Sequence, residues 1–138
     1  MSYAFDKTKS YRAQCLNVVD GDTADFLVDL GFHQYMKARF RFSRINTPEL
    51  SSTDPAVRAK AMEARNFVFS AILRDPNTKS FDEKISWTCR LVAEKDPDNY
   101  GRWLAEVFYQ PWTNGKQLPE VSLNQQLLDA GLAVLYKS

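Results

Sequence analysis

Residues 35–43, "YMKARFRFS", constrain the fold more tightly than any other stretch of the chain. Met36, Ala38, Phe40 and Phe42 alternate with Tyr35, Lys37, Arg39, Arg41 and Ser43. Successive side chains of an extended chain point to opposite faces. The alternation therefore predicts a strand with an apolar face against a core and a basic face opposite. Two more strand-like runs precede it. Residues 10–19, "SYRAQCLNVV", lead into Asp20-Gly21, and residues 23–30, "TADFLVDL", follow with Phe26, Val28 and Leu30 on one face. Short turns join the three runs, which makes a meander. Asp-Gly is a strong hairpin signal, because glycine accepts the positive φ of a tight turn. Asp22 is not explained this way, since it opens the second strand and aspartate is a poor strand former. The stretch "VVDGDT" reads either as a plain polar turn or as a site for a cation or a phosphate.

Beyond the meander the period changes. Asp54 can cap a helix that Pro55 opens, and Val57, Ala61, Ala64, Val68 and Ala71 recur at helical spacing before Asp75-Pro76-Asn77. Residues 84–93 return to strand, with Ile85, Trp87, Cys89 and Leu91 on one face, and 101–109, "GRWLAEVFY", form the next. Ser122 and Gln125 make a capping-box pattern ahead of a helix that Gly131 can end. The expected class is α+β, mainly β. Five strands, a helix between strands 3 and 4 and a C-terminal helix are the layout of an OB-fold barrel, which commonly binds nucleic acid or oligosaccharide. Such a layout does not by itself decide function. One domain is expected over residues 1–138, as a monomer.

Composition narrows the chemistry. The formal net charge is only +1, so polyanion binding must come from a local cluster and not from a global field. His33 is the single histidine, in the turn-like "GFHQY", which argues against a zinc site or a histidine-based serine or cysteine nucleophile. Proton chemistry must then use carboxylates, lysine, tyrosine or arginine. Cys15 and Cys89 sit in strand-like runs and read as buried free thiols. No apolar run is long enough to span a bilayer, and "MSYAFDKTKS" has no apolar signal core. A cytoplasmic location without membrane association is expected.

Chemistry-bearing residues gather in three stretches. The hairpin supplies Asp20 and Asp22; "RFRFSRINTPE" over 39–49 supplies Arg41, Asn46, Thr47 and Glu49; "YGR" supplies Arg102. In a meander these segments can converge on one end of a barrel. The set suits phosphodiester hydrolysis: hard oxygens hold a divalent cation, a carboxylate takes a proton from water, and two guanidiniums grip phosphoryl oxygens.

With "LNQQLLDAGLA" added, these motifs resemble, in order and spacing, those of the staphylococcal nuclease-like (thermonuclease) family, over residues from about 10 to about 136. The resemblance implies hydrolysis of DNA and RNA phosphodiesters with calcium, and a substrate that is single-stranded by preference. Carried over by motif position, it makes Asp22 and the Thr47 carbonyl ligands of the metal, with Asp20 close behind. Glu49 becomes the carboxylate that orients or deprotonates water, and Arg41 and Arg102 become the phosphate-binding pair. Asn46 stands where the family usually has an aspartate ligand. Its amide oxygen has similar reach but no charge, which implies weaker cation binding and opens the preference to magnesium or manganese. The family's nucleotide-stacking tyrosines fall where only Tyr136 stands, and Tyr100 lies in the loop before Arg102.

Asn46 also motivates a rival reading, a catalytically weak OB-fold module that binds single-stranded nucleic acid or a protein through the Lys37, Arg39 and Arg41 face. A nonspecific nuclease without an export signal further suggests a phage or mobile-element setting.

Overall fold

The period-two pattern becomes a sheet that closes on itself. The computed structural model describes residues 9–73, 87–95 and 102–136. β1 (Lys9–Asp20), β2 (Thr23–Gly31) and β3 (Gln34–Phe42) form the antiparallel meander. They are followed by β4 (Ile45–Asn46), α1 (Pro55–Ile72), β5 (Cys89–Lys95) and β6 (Trp103–Tyr109). The small hairpin β7 (Trp112–Thr113) and β8 (Lys116–Gln117) leads to β9 (Val121–Ser122), α2 (Leu123–Asp129) and β10 (Val134–Leu135). The long strands run in the order β3-β2-β1-β5-β6, and β6 returns to pair with β3 in parallel. That pairing closes a five-stranded, mainly antiparallel barrel of the OB type, with a helix between its third and fourth strands.

Apolar positions of matching phase fill the interior. Phe26, Val28, Phe42, Leu91 and Val107 are buried, as are Leu123 and Leu127 of α2. Phe26 meets Phe40 edge-on, with ring centroids 5.8 Å apart and planes at 80°. The pattern fails toward the β2–β3 tip. Leu30, in phase with Phe26 and Val28, is 44% exposed, and Met36 and Ala38 are only half-buried. The hairpin outruns the core there, so its apolar residues have nothing to bury against. Its turn residues Phe32 and His33 both take positive φ, 55° and 60°, as a two-residue type I′ turn demands.

Gly21 has a different role from the one expected. It does not adopt positive φ, unlike Gly31, Gly115 and Gly131. A Cβ at Gly21 would lie 2.7 Å from Ala64 Cβ and 3.0 Å from Thr47 Cγ2. Glycine is required because α1 and the segment before it press onto the turn. On α1, Asp54 accepts the Ala56 N–H at 2.9 Å, and Ala61, Ala64, Val68 and Ile72 face inward. The Asp75 stop and Ile85 lie outside the described residues. Trp87 precedes β5 instead of joining it, stacking on Tyr35 at 5.9 Å with the Arg12 guanidinium 4.9 Å from its ring centroid. Cys15 and Cys89 are free and buried, and burial pushes both thiols up to about 12.

On α2, Ser122 Oγ accepts the Gln125 N–H at 3.2 Å, but the Gln125 side chain donates to Asp129, so only half of the capping box forms. Gly131, at φ 73°, ends the helix; Leu132 N–H returns to the Leu127 carbonyl at 2.9 Å and Gly131 N–H to that of Leu128 at 3.1 Å. Asn124 holds α2 to the barrel seam. Buried, it accepts the Val107 N–H at 3.0 Å and donates to the Ser43 carbonyl at 2.9 Å. Asn124→Leu would leave both groups unpaired inside, at about 1–3 kcal/mol each. The expected result is a lower urea midpoint with early deuterium exchange at the Val107 amide; a wild-type midpoint would show that Asn124 is not the staple.

Candidate active site

Asp22 is the centre of the polar end of the barrel. It stands in the β1–β2 turn beside Gly21 and does not open β2 as expected, and as a buried carboxylate it needs donors, which three segments supply. Its Oδ1 accepts the Thr23 hydroxyl at 3.0 Å, and its Oδ2 accepts the Thr47 backbone N–H at 3.1 Å. Arg41 Nη2 stands 3.7 Å from Oδ2. The Asp22 carbonyl accepts the Phe42 N–H at 2.8 Å, which ties the turn to the end of β3. The strand-breaking aspartate is thus a fixed, buried oxygen donor.

Further expected residues lie around it. Arg41 Nη2 donates to Asn46 Oδ1 at 2.8 Å, and its guanidinium lies 5.1 Å from the centroid of the Tyr136 ring. Asp20 borders the same turn. Burial raises its carboxyl above the ordinary value, and the charges of Asp22 and Glu49 raise it further, while Arg65 and Arg102 pull it down. Those influences bring Asp20, Asp22, Glu49, Arg65 and Arg102 into one electrostatic neighbourhood. Glu49 itself is exposed, its carboxylate accepting the Ser51 hydroxyl at 3.3 Å. The β3–β6 register bears on Arg102: Phe40 pairs with Trp103, so Arg102 stands just before β6 where that strand meets β3.

Lys37 and Arg39 lie exposed on β3, and Arg39 still feels the charge of Asp20. Arg39 is tied to Asp25 by bonds of 2.8 and 3.3 Å, and those bonds hold the Asp25 carboxyl below its usual range. Its charge is therefore largely answered within the protein. Tyr100 lies outside the described residues. Sequence reasoning missed Arg65 and the Thr23 hydroxyl. Arg65 carries no local signal; it reaches the site because its neighbour Ala64 packs on Gly21.

Two observations bear on a cation. Thr47 Oγ1 is buried without a hydrogen-bond partner, and it lies beside the Gly21 turn. Asp20, Asp22 and Glu49 crowd negative charge at the same place. An all-oxygen set of this kind fits a hard cation. Among the described residues, however, no group of three or more His, Cys, Asp or Glu is placed to hold a metal, and the Asn46 oxygen faces Arg41.

The closed OB-type barrel thus carries a buried carboxylate and Arg41 at one end, with Arg102 just before β6. The staphylococcal nuclease homologue family model matches residues 39–138, and the chain belongs to that family. No curated protein matches it.

Two outcomes test this geometry. A raised Asp20 means that the folded state holds the proton more tightly than the unfolded chain, so ionised Asp20 costs stability. That cost is absent below the unfolded carboxyl range, about pH 4, and sets in as pH rises through the folded value. Asp20→Asn should raise Tm at neutral pH and leave it unchanged in acid; equal shifts at both would disprove the electrostatic crowding. Gly21→Ala should cost about 1–3 kcal/mol by overpacking, with Ala64→Gly restoring part of the loss in thermal unfolding.

Proposed function

We propose that the protein is a divalent-metal-dependent nuclease that hydrolyses DNA or RNA phosphodiesters with little sequence preference. The observation that carries this reading is Asp22, buried beside Arg41 and the Thr47 N–H, with Glu49 and Arg102 in the same electrostatic neighbourhood. A binding surface has no need of an exposed glutamate beside two arginines and a buried aspartate. Arg41 and Arg102 bind the phosphoryl oxygens and meet the charge that builds on them in the transition state. Glu49, exposed at the loop before α1, accepts a proton from the attacking water.

Asp22, Asp20 and Thr47 are the residues that would hold the cation, calcium by family expectation, with magnesium or manganese as alternatives. A bound cation supplies positive charge against the phosphate. Single-stranded DNA or RNA is the substrate expected by preference.

The second reading, a catalytically weak module that binds single strands, draws on Asn46, whose oxygen is engaged by Arg41. Incubation with single-stranded DNA and with RNA, in calcium, magnesium, manganese or EDTA, separates the two. The nuclease reading expects metal-dependent cleavage that Glu49→Gln and Arg102→Ala each reduce by about 100-fold or more, with circular dichroism unchanged. Salt-sensitive binding without cleavage under any cation would transfer the assignment to the binding module.

A further inference from the structure

Arg41 is constrained on several sides by groups that neither bind substrate nor join the carboxylates. Its guanidinium could pair with Asp22, yet the 3.7 Å separation is longer than the roughly 2.7–2.9 Å of a charge-assisted hydrogen bond. The short contact is to a neutral amide, Asn46 Oδ1, at 2.8 Å. The guanidinium carbon lies over the Tyr136 ring, 5.1 Å from its centroid. Only 13% of the Arg41 side chain is exposed.

The two holding groups come from paired segments. β4 and β10 align Asn46 with Val134 and Ile45 with Leu135, and Tyr136 N–H donates to the Arg44 carbonyl at 2.8 Å. On β4, Ile45 is buried in the core, but on β10 Val134 and Leu135 are 65% and 74% exposed, so the β10 side of the ladder contributes little to the core. What it does accomplish is to carry an amide and an aromatic ring to one arginine.

We propose that Asn46 and Tyr136 are positioning residues for Arg41, the amide fixing the guanidinium in its plane and the ring supporting its face. The assignment rests on the nuclease reading for its catalytic consequence. A guanidinium presents five N–H donors in a fixed plane, so one in-plane acceptor and one stacked ring determine its orientation and leave other donors available to a phosphate. A neutral acceptor does this without cancelling the positive charge. An aspartate at position 46 would make an ion pair with Arg41 wherever no cation competed for it. In this chain, position 46 therefore serves the arginine and not the cation, and Tyr136 serves Arg41 and not a base.

The test compares wild type with Asn46→Ala, Asn46→Asp, Tyr136→Leu and Tyr136→Phe. NMR of the Arg41 guanidinium in the protein without nucleic acid reads the clamp directly. Slow exchange of its N–H protons is expected in wild type, in Asn46→Asp and in Tyr136→Phe, with fast exchange in Asn46→Ala and Tyr136→Leu. On single-stranded oligonucleotide, Asn46→Ala should lower kcat about 10- to 100-fold, since small misplacements of a catalytic group cost on this scale. Calcium titration by calorimetry should give a Kd within about twofold of wild type, because position 46 is not a ligand in this assignment. A calcium Kd weakened tenfold or more in Asn46→Ala, with Arg41 exchange unchanged, would overturn the proposal and make Asn46 a cation ligand. If wild type does not cleave at all, the nuclease reading fails alone; the Arg41 exchange pattern still decides whether the clamp exists.

Discussion

Three residues of β3 run parallel to three of β6, and this short ladder is where the barrel closes. Every other pairing among the long strands is antiparallel. The ladder joins segments more than sixty positions apart in the chain, so nothing local enforces it. Its support comes from Asn124, which bonds the backbone of both sides, and from Ser43, whose N–H reaches the Ala105 carbonyl at 2.9 Å. Arg44 reinforces the corner by meeting Glu94 and Glu106 at 3.1 and 2.9 Å. Those ion pairs are solvent-facing and contribute modestly. The buried amide is the stronger constraint, because a failed pairing there strands polar groups away from water.

The chemistry follows from that closure. Register at the seam sets Arg41 on β3 and Arg102 just before β6, and the β1–β2 turn is tied to the end of β3. α1 then completes the arrangement by pressing Ala64 against a turn that has no side chain to resist it. One missing methyl group thereby fixes the distance between a helix and a carboxylate pair. Asp20, raised by burial and by neighbouring acids, shows what this compression costs in charge.

Much of this was legible in the chain itself, for a definite reason. Period-two alternation at 23–30 and 35–43 places Phe26, Val28, Phe40 and Phe42 inside, although Leu27, out of phase, is buried as well; the change to helical spacing after Pro55 follows α1 to Ile72. Where the pattern misled, the cause was tertiary. Leu30 and Met36 alternate correctly but extend past the core. Gly21 looked like a turn residue chosen for its φ, and it is one chosen for its absent Cβ. Asn46, Thr47 and Glu49 could be placed on one loop by spacing, but the partner that Asn46 faces depends on a side chain five residues away bending back. Arg65 was invisible because helical neighbours of small residues carry no mark of what they pack against.

The overhanging β2–β3 hairpin has a consequence of its own. Phe32 is 97% exposed, and the tip residues hold the positive φ of their own two-residue turn. Gly31 has open space where a Cβ would stand. Arg12–Asp29 and Arg39–Asp25 brace the hairpin farther in, between it and the barrel end that carries Asp22. Changes of length or sequence at the tip are therefore insulated from the site by two ion pairs and a stretch of regular ladder. Loop tips of this kind tolerate insertion. The protein thus has a place where new recognition elements can be grafted while the opposite end of the same two strands keeps its chemistry.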